Sequence, residues 1–115
     1  MTGSRFFGVD DATSMESLTP RPGTSSRAAR FHAVELRVNS FERDAEVAPH
    51  DHDWHSLIYV LSGEVAVSLD SDERRLGPGR GAYVEAGTRH GLRAVGSGAA
   101  VLDLWWPMPP QEGQP

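Results

Sequence analysis

Hydrophobic and polar side chains alternate with a period of two along much of the chain. In the first alternating segment the apolar face holds Val34, Leu36 and Val38, and the charged face holds Glu35 and Arg37. This is the period of a β-strand, in which successive side chains point to opposite sides of the sheet. No segment shows the period of an amphipathic helix, so the pattern predicts an all-β protein.

Turn residues divide the rest of the chain into short strands. The predicted strands lie at residues 56–61, 65–69, 82–84, 90–92 and 99–106. The turns between them are indicated by Ser62-Gly63, Asp70–Asp72, Leu76–Gly79 and Ala86–Thr88, and Pro107 closes the last strand. Short strands separated by turns roughly every 8–12 residues are typical of a sandwich or a barrel.

The two ends of the sequence differ from this pattern. Residues 1–30 are rich in Thr, Ser, Pro and Gly, with Phe6 and Phe7 as the strong apolar anchors, and they predict a flexible N-terminal arm. Two interpretations stay open for this arm, a disordered tail and an extension that packs on a partner subunit. Residues 31–107 are expected to form one domain, which suits a chain of 115 residues, and residues 108–115 a disordered tail.

Composition removes several kinds of chemistry. The chain has no Cys and no Lys, because all 11 basic residues are Arg, so thiolate metal sites and Schiff-base chemistry are excluded. The formal net charge of −5 argues against a nucleic-acid partner. An apolar run of about 20 residues is missing, as is a signal-peptide pattern, so we expect a cytoplasmic protein without a membrane partner.

Histidines provide the strongest functional signal. His50 and His52 are two residues apart, so on an extended segment their imidazoles point the same way. His90 can join them from a later strand, and three imidazoles can hold Zn, Fe, Mn or Ni. His32 lies outside this pattern and is interpreted as a surface residue.

The spacing of these histidines resembles two signatures of the cupins. The first signature is matched by His50, His52, a ligand position at Ser56, and Gly63; the second is matched by Gly79, Gly87 and His90. The resemblance covers roughly residues 31–107. It implies a small double-stranded β-helix, or jelly roll, with a metal inside the mouth of the barrel and frequent homodimers.

Ser56 stands where most cupins have a glutamate ligand, and three interpretations follow. His55 could complete the coordination, which requires a bulge because neighbouring residues of a strand face opposite sides. Alternatively, His50, His52 and His90 hold the metal alone and leave open positions for water and substrate. In the third interpretation the site has lost its metal.

Asp103 is the candidate catalytic residue. It lies in an apolar strand, where an ionised carboxylate is costly unless it is paired, and where its pKa tends to rise toward neutrality. The segment 101–107 also resembles the ending of small cupins related to the uronate ring-opening protein of pectin degradation, in which this aspartate is thought to act near the metal. The alternative is an aspartate that faces solvent or pairs with an arginine such as Arg93.

Three functions are compatible with these residues. The leading hypothesis is a metal-dependent enzyme that transfers a proton on a small oxygenated substrate, as an isomerase, lyase, ring-opening enzyme or polyketide cyclase. An Fe(II)-dependent dioxygenase is the second. The third is a cupin that binds or senses a small ligand without catalysis, since the fold alone does not decide function.

Overall fold

The computed structural model describes residues 4–11 and 23–107, and within them the protein is all-β, as predicted. The eight strands are β1 (Asp10–Asp11), β2 (Thr24–Phe31), β3 (Val34–Phe41), β4 (Glu46–His50), β5 (His55–Leu69), β6 (Asp72–Leu76), β7 (Gly81–Val84) and β8 (His90–Trp106). No helix capable of crossing a membrane occurs in these two ranges.

Two long strands, β5 and β8, organise the sheet. They run antiparallel along almost their whole lengths, and the other strands add to their sides. The first half of β8 pairs with β4, and its second half pairs with β3, which in turn pairs with β2. The first half of β5 pairs with β7, and its second half pairs with β6. The chain thereby folds two half-sheets around one interior, the predicted jelly roll.

Bulges in the middle of β5 change which side chains face this interior. Ser56, Ile58 and Val60 point inward before the bulges, whereas Val65 and Val67 point inward after them. Strand β8 makes the same change across Gly96 and Gly98. The apolar core is continuous across both halves and consists of Phe41, Ala45, Ile58, Val60, Val65, Val67, Val84, Leu92, Ala94, Ala99 and Val101.

Strand β3 turns its polar face to the interior. Its period of two is confirmed, but Glu35, Arg37 and Asn39 are buried, whereas Val34 is exposed. In register, Arg37 lies opposite Asp103, and Glu35 lies opposite Trp105. The polar side chains of β3 therefore line the same barrel wall as the end of β8.

Residues 24–30, assigned to the arm by the sequence, form strand β2 together with Phe31. All eight residues pair with β3, so the sheet begins before the predicted domain start at residue 31. The sequence of β2 is dominated by Ser, Arg and Ala, so it lacks the alternation of large apolar side chains that identifies other strands. Two predictions concern residues outside the described part of the chain. These are the flexible arm at residues 12–22 and the disordered tail at residues 108–115.

Candidate metal centre

His50, His52 and His90 meet at one end of the barrel. His50 ends β4 and lies directly opposite His90, the first residue of β8, while His52 follows two residues after His50. The two strands approach closely beside this pair: a Cβ on Gly91 would lie 3.0 Å from the Val47 carbonyl oxygen and 3.1 Å from the Pro49 nitrogen. Glycine at position 91 therefore allows the two histidine-bearing strands to come together.

The three imidazoles form one compact group. Their ring centroids are 4.5 Å apart for His50 and His90, 4.7 Å for His52 and His90, and 5.5 Å for His50 and His52. One ring nitrogen from each residue lies within 4.8 Å of the others. Imidazole nitrogens suit Zn, Fe, Ni and Cu, so this donor set fits a divalent metal ion.

Backbone carbonyls determine which nitrogen each ring offers. His50 Nδ1 lies 2.9 Å from the Ala48 carbonyl, His52 Nδ1 2.9 Å from the Trp54 carbonyl, and His90 Nδ1 2.8 Å from the Thr88 carbonyl. A carbonyl only accepts hydrogen bonds, so each Nδ1 carries the proton. Each Nε2 then keeps its lone pair, and a ligating histidine in proteins is oriented in this way by a hydrogen bond from its other nitrogen.

Burial keeps two of the rings neutral. It lowers the pKa of His52 from 6.5 to about 4, and the neighbouring imidazole of His90 acts in the same direction. Burial also lowers the pKa of His90. Since a metal ion binds the neutral ring, neither side chain has to release a proton at neutral pH before it can coordinate.

Aromatic side chains support the group from one side. The indole of Trp54 stacks on the His52 ring at a centroid distance of 4.3 Å and an interplanar angle of 5°. Trp105 lies 5.4 Å from Trp54 and is buried. These rings restrict the orientation of His52 and give the site an apolar wall.

A cavity of about 60 Å³ opens beside the histidines. Its wall includes Ser56, Asp103 and Trp105 as well as the three imidazoles. Ser56 is 1% exposed, and its Oγ has no hydrogen-bond partner among the described residues. A hydroxyl in this position can bond to a ligand or to water that enters the cavity.

His55 lies on the other side of β5. The pairing of His55 with Trp106 and of Ser56 with Trp105 is regular, so the strand has no bulge here to turn His55 inward. Its Nδ1 accepts a hydrogen bond from the Ala86 N–H at 3.0 Å, and its ring lies near Tyr83 and Trp106. The structure therefore brings Ser56, and not His55, to the cavity of the histidine group. His32 is exposed in the turn between β2 and β3.

Asp103 faces the cavity from β8 and is held by neighbours that the sequence did not identify. Asn39 Nδ2 donates to Asp103 Oδ2 at 3.0 Å, and Ser26 Oγ donates to Asn39 Oδ1. The suggested partner, Arg93, is exposed and lies opposite Glu46 and Ala66 in register. The arginine directly opposite Asp103 is Arg37.

A buried ion network lies behind Asp103. Glu35 Oε1 accepts a hydrogen bond from Arg30 Nε at 2.6 Å, and Glu35 Oε2 accepts one from Arg37 Nε. Glu35 and Arg37 are fully buried, and the Arg37 guanidinium lies 4.5 Å from the centroid of the Trp105 ring. The sequence contained one signal of this network: the alternation in β3 places two charged residues, Glu35 and Arg37, on the same face as Asn39.

Comparisons with known proteins agree with this fold. A family model described as "Cupin domain" matches residues 38–107. KdgF from Halomonas sp. has 26% sequence identity and a TM-score of 0.74, and the match covers 85% of this chain and 94% of that chain.

Two further structures share the fold at lower identity. An RmlC-like cupin from Shewanella frigidimarina has 22% identity and a TM-score of 0.72, with 88% of this chain and 84% of that chain covered. The DMSP lyase DddQ from Ruegeria pomeroyi has 23% identity and a TM-score of 0.62, with 66% and 39% covered. No curated protein matches this chain.

Proposed function

The chain belongs to the cupin family, and on this premise we propose that it is a metal-binding enzyme that transfers a proton on a small oxygenated substrate. The observation that carries this proposal is the shared cavity: three imidazoles with free Nε2 atoms and the Asp103 carboxylate line one space. A Lewis acid and a proton-transfer group are the two components that such chemistry requires.

His50, His52 and His90 would hold the metal ion through Nε2. The chemistry that a divalent ion would supply there is Lewis-acid polarisation of a carbonyl or enolate oxygen of the substrate. Three protein ligands are the number expected of a catalytic site, which keeps at least one position open. Ser56 is too short and too weak a donor to replace a carboxylate ligand, so we assign it to hydrogen bonding with the bound ligand.

Asp103 would move the proton. It lies in the cavity wall, and Asn39 holds one of its oxygens at 3.0 Å. Trp105 and Ile58 add apolar surface to the same wall. Apolar surface around a closed site would limit the access of water and strengthen electrostatic interactions there. Isomerisation, lyase chemistry, ring opening of a sugar-like acid and cyclisation all use this combination, and the resemblance of residues 101–107 to the uronate ring-opening group favours ring opening.

Metal analysis and proton exchange together test the proposal. Purified protein is expected to contain, or to take up, about one equivalent of Zn, Fe, Mn or Ni, and a chelator is expected to remove it. The metal-loaded protein should exchange deuterium from solvent into the C–H next to the carbonyl of small sugar acids, observed by NMR. Asp103→Asn should bind the same amount of metal and lose the exchange.

Other outcomes of this experiment favour the two other functions. Oxygen uptake that depends on Fe(II) and on a candidate substrate would replace the proposal with the dioxygenase. Metal or ligand binding without exchange or oxygen uptake by any compound would favour a binding or sensing cupin. Failure to bind any of the four metals would contradict both enzyme functions.

We propose further that the protein forms a homodimer through the outer face of β3, β8 and β5. Two rows of apolar side chains cross these strands in register, Leu36–Leu104–Leu57 and Val38–Leu102–Tyr59. Neither row contains a charged residue, so the face can meet its own copy across a twofold axis without like-charge repulsion.

Leu104→Glu tests this dimer, because it would place two buried carboxylates in the interface. Sedimentation velocity should show a dimer for the unaltered protein and a monomer for the variant. An unaltered protein that is monomeric at about 100 µM would contradict the proposal. The expectation of a cytoplasmic protein without nucleic-acid or membrane partners stays a prediction.

A further inference from the structure

Three polar side chains form a hydrogen-bonded line across the barrel wall beside the histidine group. Ser26 on β2 donates from Oγ to Asn39 Oδ1 on β3, and Asn39 donates from Nδ2 to Asp103 Oδ2 on β8 at 3.0 Å. All three residues line the same cavity as the imidazoles. Asn39 is 8% exposed, so its amide has little access to bulk water.

The direction of these hydrogen bonds depends on the charge of Asp103. An ionised carboxylate only accepts, so it requires the NH₂ group of Asn39 to face it. The amide oxygen then faces Ser26, and the hydroxyl must donate. A protonated Asp103 would instead be able to donate to the amide oxygen. The arrangement in the structure is the one that an ionised Asp103 requires.

The charges around Asp103 favour the same state. From β3, Arg37 lies directly opposite, and Glu35 contacts both Arg37 and Arg30 of β2. From β5 the neighbour is the apolar Ile58, and from the cavity the facing groups are the three imidazoles. Two arginines thus share one glutamate, and an ionised Asp103 makes this group of four neutral. Uncompensated charge is costly in a buried position.

We infer that Asn39, oriented by Ser26, is a positioning residue that holds Asp103 ionised and directed along the cavity wall, so that Asp103 starts the reaction as the proton acceptor. The reaction itself rests on the proposed function. In the first step the substrate C–H bond breaks, the proton goes to the Asp103 carboxylate, and the electron pair moves into the substrate as an enolate. The protonated Asp103 then returns the proton at the end of the cycle.

Carboxyl NMR tests this role without a substrate. The ¹³C signal of Asp103 is titrated in full-length protein labelled at aspartate, and Asp103→Asn identifies the signal. Asn39→Leu removes the donor with little change of volume, so the midpoint should rise by roughly one pH unit or more, because a hydrogen bond to a charged group stabilises the ionised form. Ser26→Ala should raise it by a smaller amount, since the amide loses its orientation.

Thr24 provides the matched control. It lies on β2 two residues before Ser26, lines the same cavity, and its Oγ1 has no hydrogen-bond partner among the described residues. Thr24→Val should therefore leave the Asp103 midpoint unchanged. An unchanged midpoint in folded Asn39→Leu, or an equal shift in Thr24→Val, would overturn the inference. If Asn39→Leu does not fold, an unchanged midpoint in Ser26→Ala overturns it.

The metal content of the same samples separates this inference from the proposed function. Protein that binds no metal but shows the predicted midpoint shifts would contradict the metal enzyme and support the role of Asn39. Protein that binds metal but shows no shift in Asn39→Leu would contradict the role of Asn39 alone.

Discussion

His90→Ala is expected to weaken metal binding by at least about two orders of magnitude. A protein site binds Zn²⁺ with on the order of 10 kcal/mol, so each of three ligands accounts for about 3 kcal/mol, or more than a hundredfold in affinity. His90 has the central place in the group, since its ring lies within 4.7 Å of both other imidazoles. Isothermal titration with Zn²⁺ and Ni²⁺ measures the loss.

A second measurement makes this result independent of the titration. A ligand that binds only the folded state raises its stability, by about 2.7 kcal/mol at a hundred times the dissociation constant. Added Zn²⁺ should therefore raise the unfolding temperature of the unaltered protein and leave that of His90→Ala unchanged.

His55→Ala is the matched control for His90→Ala, because it makes the same substitution only one residue from Ser56. The His55 ring lies outside the barrel interior with Tyr83 and Trp106, so metal affinity should stay within a factor of about two of the unaltered protein. A large loss in His55→Ala would show that this imidazole takes part in coordination. Equal affinity of His90→Ala and the unaltered protein would contradict the three-histidine centre.

The positions of the histidines could be predicted from the sequence because they depend on local geometry. The spacing of His50 and His52 needs only an extended backbone, and the second signature places His90 after a turn at Gly87. The placement of Ser56 required information beyond the sequence, because the direction of its side chain depends on whether β5 is regular at this point. The register between β5 and β8 supplies that information, and a single sequence does not contain it.

The buried face of β3 could not be predicted in the same way. Alternation gives two faces, and hydrophobicity normally decides which one is buried. In β3 the apolar face lies outside, where Leu36 and Val38 join apolar residues of β8, and the polar face points into the barrel. The reason is tertiary: Glu35 pairs with both Arg37 and Arg30, Asp103 lies opposite Arg37, and Asn39 bonds to Asp103. Partners from three strands offset the cost of burying these polar side chains, and they come together only when the barrel has formed.

The candidate site is therefore more polar and more ordered than its histidines alone suggest. Each imidazole is oriented by a carbonyl, and the acidic residue is oriented by an amide. Such supporting hydrogen bonds hold reacting groups in place before the substrate arrives, which is a large part of catalytic power. The same order makes the protein vulnerable where one partner of a buried charge is removed.

Glu35→Ala is accordingly expected to lower the free energy of unfolding by about 3–5 kcal/mol, which is the usual cost of breaking a buried ion pair from one side. The substitution removes the carboxylate that the fully buried Arg37 and its neighbour Arg30 both contact, which leaves two positive charges beside the one negative charge of Asp103. Because small domains are stable by only about 5–15 kcal/mol, much of the stability would be lost. Urea denaturation followed by tryptophan fluorescence measures this change, since Trp105 lies against Arg37.

Two comparisons distinguish the loss of charge pairing in Glu35→Ala from the loss of packing. Glu64→Ala makes the same substitution in a half-exposed glutamate that lies 4.0 Å from Arg75, and it should cost less than about 1 kcal/mol. The double variant Glu35→Leu/Arg37→Met removes both buried charges and fills their volume, so it should be more stable than Glu35→Ala. Arg30 and Asp103 would still balance each other in that variant. A double variant no more stable than Glu35→Ala would show that the shape of these side chains, and not their charge, stabilises the barrel wall.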